Sequence, residues 1–215
     1  MKQARKLLAT AALAVAASGA QAALTTGFAA DTVFDFETVV GGPGPVVLNA
    51  DVTLTGFGYP ADTLEVGAPA FWDLGENGFW SLGKTFAGNN TAIGGMLVQF
   101  NGTTVQSVGA FFNYLAAPAG NPLQLLALDV DGNVLEGHSI TIGAVSAPPG
   151  GAVNAGEFYG ITRATADIGA LVITAPYVVM DDLSYTAPIP EPSTYAMVFG
   201  GLGLLALARR RATRR

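Results

Sequence analysis

Leu123-Gln-Leu-Leu-Ala-Leu-Asp-Val-Asp-Gly-Asn-Val-Leu-Glu-Gly-His-Ser-Ile-Thr-Ile142 holds two apolar runs on either side of a turn, and its reading sets the fold. Leu123 to Asp129 and Val134 to Ile142 read as strands, and Asp131-Gly132 between them is a strong short-range hairpin signal. The competing reading takes Asp129-x-Asp131-x-Asn133 as the start of a calcium loop. The helix-loop-helix pattern needs Gly at its sixth position and Glu at its twelfth, where this chain has Val134 and Ile140. The stretch is therefore an antiparallel pair with a tight turn.

The same signals recur on both sides. Thr32 to Val39, Val46 to Leu54, Met96 to Phe100, Val108 to Leu115, Glu157 to Ile161, Ile168 to Thr174 and Val178 to Tyr185 are rich in β-branched and aromatic residues, with Gly, Pro, Asn and Asp between them. Gly41 to Pro45, Ala116 to Pro122 and Ala147 to Gly151 read as loops. Helical periodicity is absent outside the two ends, and no internal repeat is evident. The class is all-β, and many short strands with turn signals predict an antiparallel, jelly-roll-like β-sandwich over residues 23–187.

The ends are of a different composition. Lys2, Arg5 and Lys6 precede an apolar stretch from Leu7 to Ala17 and an Ala20-Gln21-Ala22 cleavage site, the pattern of a secretory signal peptide over residues 1–22. Signal peptidase is the implied partner. At the other end, Tyr195 to Ala208 is apolar and would span roughly 21 Å as a helix, short of a hydrocarbon core of about 30 Å. Gly200, Gly201 and Gly203 weaken it, while Arg209, Arg210 and Arg211 can snorkel to the interface. The positive-inside rule puts these arginines in the cytoplasm and everything before the helix outside. Pro190 and Pro192 hold Ile189 and Glu191 out of the α region, so Pro190-Glu191-Pro192 is expected to be extended at the membrane surface.

Pro190-Glu191-Pro192, a short apolar helix and a terminal Arg cluster, together residues 188–215, resemble the PEP-CTERM sorting signal of Gram-negative bacteria. The resemblance implies recognition by exosortase, a membrane protease, and removal of the tail on the way to the cell surface or the exopolysaccharide matrix. It implies a transient inner-membrane anchor rather than a permanent one.

With both ends set aside, only Lys84 and Arg163 remain as bases against fifteen acids in residues 23–189, a formal charge of −13. Such a domain repels nucleic acid, anionic lipid and acidic polysaccharides unless a divalent cation bridges them. There is no cysteine, which excludes a disulfide framework, a Cys nucleophile and Cys-ligated metal. His138 is the sole histidine and reads as a surface residue on a strand.

Two clusters could carry chemistry. In Val178-Val-Met-Asp-Asp-Leu-Ser-Tyr185 a period of two places Val179, Asp181, Leu183 and Tyr185 on one face, so Asp181 points with apolar residues and needs a partner. Glu37, in Phe34-Asp-Phe-Glu37, is the candidate. This pairing of an early Phe-Glu and a late Asp-Asp-Leu-Ser is similar to that of several carbohydrate-binding-module jelly rolls, where it implies one structural calcium ion. A hydrogen-bonded Asp181 at a strand end is the other reading. The second cluster is Phe71-Trp-Asp-Leu-Gly-Glu-Asn-Gly-Phe-Trp80, where Trp72 and Trp80, with Tyr59, could stack on sugar rings beside Asp73, Glu76 and Asn77. Plugging the end of the sandwich is the alternative role. Asp73 and Glu76 match no glycosidase motif, and no catalytic residue is assigned.

The sequence points first to a non-catalytic exported protein of the envelope or extracellular matrix whose sandwich binds glycans. A structural matrix component without a small ligand and a secreted hydrolase are the alternatives.

Overall fold

A computed structural model describes residues 23–39, 44–59, 64–67, 85–114, 121–142 and 156–186. The expected signal peptide over residues 1–22, Pro190-Glu191-Pro192, the expected helix over residues 195–208 and Arg209, Arg210 and Arg211 lie outside the described residues, as do Trp72, Trp80, Asp73, Glu76 and Asn77. Among the described residues no helix is long and apolar enough to cross a membrane.

The described strands are, in chain order, β1 (Ala23–Thr25), β2 (Thr32–Phe34), β3 (Val46–Val47), β4 (Val52–Gly58), β5 (Leu64–Gly67), β6 (Phe86–Asn89), β7 (Gly94–Phe100), β8 (Ser107–Asn113), β9 (Leu123–Leu128), β10 (Val134–Ile140), β11 (Glu157–Thr162), β12 (Ala170–Thr174) and β13 (Val179–Tyr185). They form two antiparallel sheets. The first runs β1-β11-β8-β13-β6-β5, with β2 also on β13, and the second runs β10-β9-β12-β7-β4-β3. This is the predicted β-sandwich.

Alternation builds the core between them. Val52, Leu54, Met96, Val98, Leu125, Leu171 and Ile173 from the second sheet meet Val108, Phe112, Ile161, Met180 and Leu183 from the first, all fully or almost fully buried. Each such side chain contributes roughly 1.5–3 kcal/mol of transfer free energy. The 123–142 hairpin forms as read, with Leu123 opposite Ile140. Its turn satisfies itself: Asp129 Oδ1 accepts from the N–H groups of Asp131 at 2.9 Å and Asn133 at 2.8 Å, and Asn133 Nδ2 donates to Asp129 Oδ2 at 2.9 Å. Those bonds hold the Asp129 carboxyl below its ordinary value, the Asn133 side chain contributing most.

Three expectations are corrected. Val46 to Leu54 is not one strand but a hairpin of β3 and β4, because Asn49 Oδ1 accepts from the Asp51 N–H at 2.8 Å and turns the chain. β1, β5 and β6 escape sequence reading, being short and, in β6, centred on Ala87-Gly88, which gain strand structure from their neighbours. In β13 the alternation breaks. Asp181 lies opposite Phe111 but Ser184 opposite Gly109, so β13 carries one extra residue, and Asp182 takes the left-handed φ of 49° that Asp tolerates better than most. Met180, Leu183 and Tyr185 consequently face the core, while Val179 packs on the other side of the sheet with Phe86 and Phe111. Asp181 shares that outer face with Val179 and not with Leu183 and Tyr185.

One lateral side of the sandwich is closed by charge. Glu136 and His138 on β10 pair opposite Ala127 and Leu125, whose side chains enter the core, so both point toward the other sheet. His138 Nε2 contacts Glu136 Oε1, and Arg163, just past β11, lies 3.8 Å from Glu136 Oε2. Arg163 also grips Asp167 through Nε at 2.5 Å and Nη2 at 2.9 Å. His138 is thus a strand residue, half-buried beside Glu136 rather than free at the surface.

Candidate functional site

The bulge in β13 makes the first of two sites. One edge of β13 is shared end to end by two strands: β6 pairs with Val179 and Met180, and β2 pairs with Leu183 to Tyr185. Asp181 and Asp182 fall in the gap. Asp181 is 1% exposed; its Oδ1 accepts from the Asp182 N–H at 2.8 Å, and its Oδ2 has no hydrogen-bond partner. Burial pushes the Asp181 carboxyl up to about 7, opposed by the Asp182 N–H and reinforced by the Asp182, Glu37 and Asp35 carboxylates. Burial and Asp35 likewise raise Asp182. Glu37 is exposed and accepts from the Thr85 N–H through Oε1 at 3.1 Å. The fold therefore brings Glu37 to the neighbourhood of Asp181. Among the described residues, however, no three Asp, Glu or His side chains are grouped to hold a metal ion.

The second site is the outer face of the second sheet. Pairing defines three rows across the strands. Phe57 of β4 lies opposite Gly95 of β7, Gly95 opposite Thr174 of β12, Thr174 opposite Gln124 of β9, and Gln124 opposite Ser139 of β10. The next row is Thr55, Leu97, Val172, Leu126 and Gly137, and the third runs from Val47 through Thr53, Gln99, Ala170 and Leu128 to Val134. No residue of these rows is charged, on a domain whose formal charge is −13. Leu97, Val172 and Leu126 form a half-buried apolar stripe, and Phe57, 38% exposed, stands at the head of a polar row in which Gln124 Nε2 donates to Ser139 Oγ at 2.8 Å.

Glycine gives the first row its shape. A Cβ on Gly95 would lie 2.0 Å from the Ile173 carbonyl oxygen, so only glycine lets β7 and β12 close here, and the row dips beside the Phe57 ring. Next to the dip, Asn121, Pro122, Gln124, Thr174 and Pro176 line a cleft of about 250 Å³. Tyr59, 80% exposed, and Ile93, 71% exposed, stand at the same end, where the Tyr59 N–H donates to the Ile93 carbonyl at 2.9 Å. Of the three aromatics expected to contact a ligand, Tyr59 is at this rim, while Trp72 and Trp80 lie outside the described residues. Phe57 and its row were not expected. The alternation Val52-Thr-Leu-Thr-Gly-Phe57 could have shown that Phe57 faces out, but nothing local shows which residues of other strands lie beside it.

No curated protein matches this chain. Among solved structures, the CBM22-1 xylan-binding domain from Paenibacillus barcinonensis Xyn10C is similar over 77% of this chain and 99% of that one, at 12% identity and a TM-score of 0.32. A likeness of that size carries nothing about ligand. The C-terminal end is more specific: residues 188–215 match the model of the PEP-CTERM protein-sorting motif, so this chain ends in a sorting signal for export.

Proposed function

We propose that this chain is a non-catalytic exported protein whose sandwich binds an uncharged polysaccharide on the outer face of its second sheet. It reaches the cell surface or extracellular matrix through signal peptidase at the N-terminus and an exosortase-type membrane protease at the C-terminus, after a transient anchorage by the 195–208 helix. The observation that carries the glycan reading is the uncharged row headed by Phe57. An exposed ring beside a glycine dip offers a stacking surface, and Thr174, Gln124 and Ser139 continue it with hydroxyl and amide groups suited to sugar hydroxyls. The row crosses five strands, about 19 Å at the usual strand spacing, room for several sugar rings. Acidic glycans are disfavoured by the charge of the domain.

The test is a glycan array with the mature protein and its Phe57→Ala variant. Neutral linear glycans should bind the wild type and be lost in the variant, with the melting temperature little changed. An array without any neutral hit overturns the reading in favour of a structural matrix protein.

A structural calcium ion at Glu37 and Asp181 is a second reading, favoured by the partnerless buried Oδ2 of Asp181. Calcium takes 6–8 oxygens, so carbonyls and water would have to complete the shell.

A further inference from the structure

Both ends of the sandwich leave it from one row. Ala23 at the start of β1 pairs with Thr162 of β11, and Thr162 pairs with Ser107 of β8. Thr186, the residue after β13, completes the row: its N–H donates to the Ser107 carbonyl at 3.0 Å, and its Oγ1 accepts from the Ser107 N–H at 2.9 Å. Three strand spacings, about 14 Å, separate the two exits. Ala23 follows directly on the signal-peptide cleavage site, and Thr186 precedes Pro190 by a segment that spans about 14 Å at most when fully extended.

We propose that the end of the sandwich carrying this row is its membrane-facing surface, and that the opposite end, with Tyr59, Ile93 and the cleft, faces away. This rests on the two chain ends being targeting segments, as argued above, and concerns how the folded domain meets the membrane they enter. The loops that share the row's end are fixed by their bonds. The Arg163 N–H donates to the Gln106 carbonyl, Asn101 to Asp51, Asp31 to Tyr185 and Gly169 to Leu128. These loops carry Asp31, Asp51, Asp129, Asp131 and Asp167, and Arg163 is engaged by Asp167 and Glu136. Such an end is repelled by anionic lipid. It stands off the bilayer at the reach of its tether, the stretch of sequence that holds Pro190-Glu191-Pro192.

The absence of cysteine makes the test clean. Val130, in the turn at the membrane-facing end, and Ile93, at the far end, are 70% and 71% exposed. Val130→Cys and Ile93→Cys, each in the full chain, are labelled with one fluorophore and reconstituted in phosphatidylethanolamine/phosphatidylglycerol vesicles that carry an acceptor on the lipid headgroup. With the ends of the strands about 20 Å apart, energy transfer from position 130 should exceed that from position 93 several-fold. Where a variant fails to fold, Ala164→Cys and Ala92→Cys are the exposed pair at the same two ends. Equal transfer, or more from the far end, in vesicle-bound protein overturns the orientation and leaves the sorting reading intact. A full chain that does not associate with vesicles overturns both.

Discussion

Asn89 on β6 of the first sheet donates from Nδ2 to the carbonyl of Gly95 on β7 of the second, at 2.9 Å, across the buried space between the sheets. The same nitrogen lies 3.3 Å from the Phe57 carbonyl. One fully buried amide thus ties together the backbone under the dip and the backbone of the ring beside it. Asn89→Ala would remove this donor from the buried Gly95 carbonyl and the part-buried Phe57 carbonyl, and a loss of about 2 kcal/mol is expected in urea unfolding. Asn89→Asp should cost more, since it places an acceptor where a donor is needed. A melting curve unchanged by Asn89→Ala would show that this tie is not holding the sheets.

Gly95→Ala forces a Cβ into the Ile173 carbonyl, so β7 and β12 must part. Expected is a destabilisation above about 2 kcal/mol, whereas Phe57→Ala should cost about 1 kcal/mol, because Phe57 is 38% exposed and stands outside the core cluster. The two variants separate stability from binding: unfolding curves read the first, and titration with a neutral oligosaccharide reads the second.

Asp181 makes the domain sensitive to pH with a definite sign. Its carboxyl stands at about 7 in the folded protein against 3.8 in a model peptide, so the folded state holds this proton more tightly. The stability it confers is full below the lower value and is lost as pH rises toward the higher one. In EDTA, the wild type should melt several degrees higher near pH 5 than near pH 8. Asp181→Asn should reduce that difference, which separates Asp181 from the general repulsion among carboxylates. Calcium at the higher pH should restore the wild-type melting temperature and leave Asp181→Asn unmoved; no response to calcium in the wild type removes the ion from the site.

Arg163 closes the side of the sandwich through Asp167 and Glu136. Arg163→Ala leaves two half-buried carboxylates without their cation, and a cost of about 1–3 kcal/mol is expected in thermal or denaturant unfolding. Arg163→Lys should recover less than half of it, because an ammonium cannot make the paired bonds to Asp167.

At the C-terminus, Pro190→Ala combined with Pro192→Ala should leave full-length chain in the inner membrane, and mass spectrometry of wild-type protein from the cell exterior should find no peptide ending at Arg215. Recovery of that peptide outside the cell would mean that the tail is not removed.

The sandwich class was legible because its long strands alternate and its turns are built from Asp, Asn and Gly: the 123–142 hairpin needs nothing beyond its own residues. Short strands were not. Phe86-Ala-Gly-Asn89 has little β character and becomes a strand by lying between Val179 on one side and Leu64 on the other. Asp181 was visible as an anomaly but was assigned to the wrong neighbours, since a bulge of one residue inverts every side chain beyond it and has no local signature except an Asp that tolerates positive φ. The row from Phe57 to Ser139 depends on the register of five strands, four of them far apart in the chain, and register is a property of the assembled sheet.

The split edge of β13 also fixes when this protein can fold. β13 lies inside the first sheet with β8 on one side and β2 and β6 on the other, yet it is the last strand among the described residues. Until Tyr185 emerges, β2 has no partner in that sheet and β5-β6 is cut off from β1-β11-β8. The first sheet therefore closes only once Tyr185 is available, so in a chain made from its N-terminus the long-range pairing that completes this sheet is a late event, and the fold as a whole waits on its C-terminal strand.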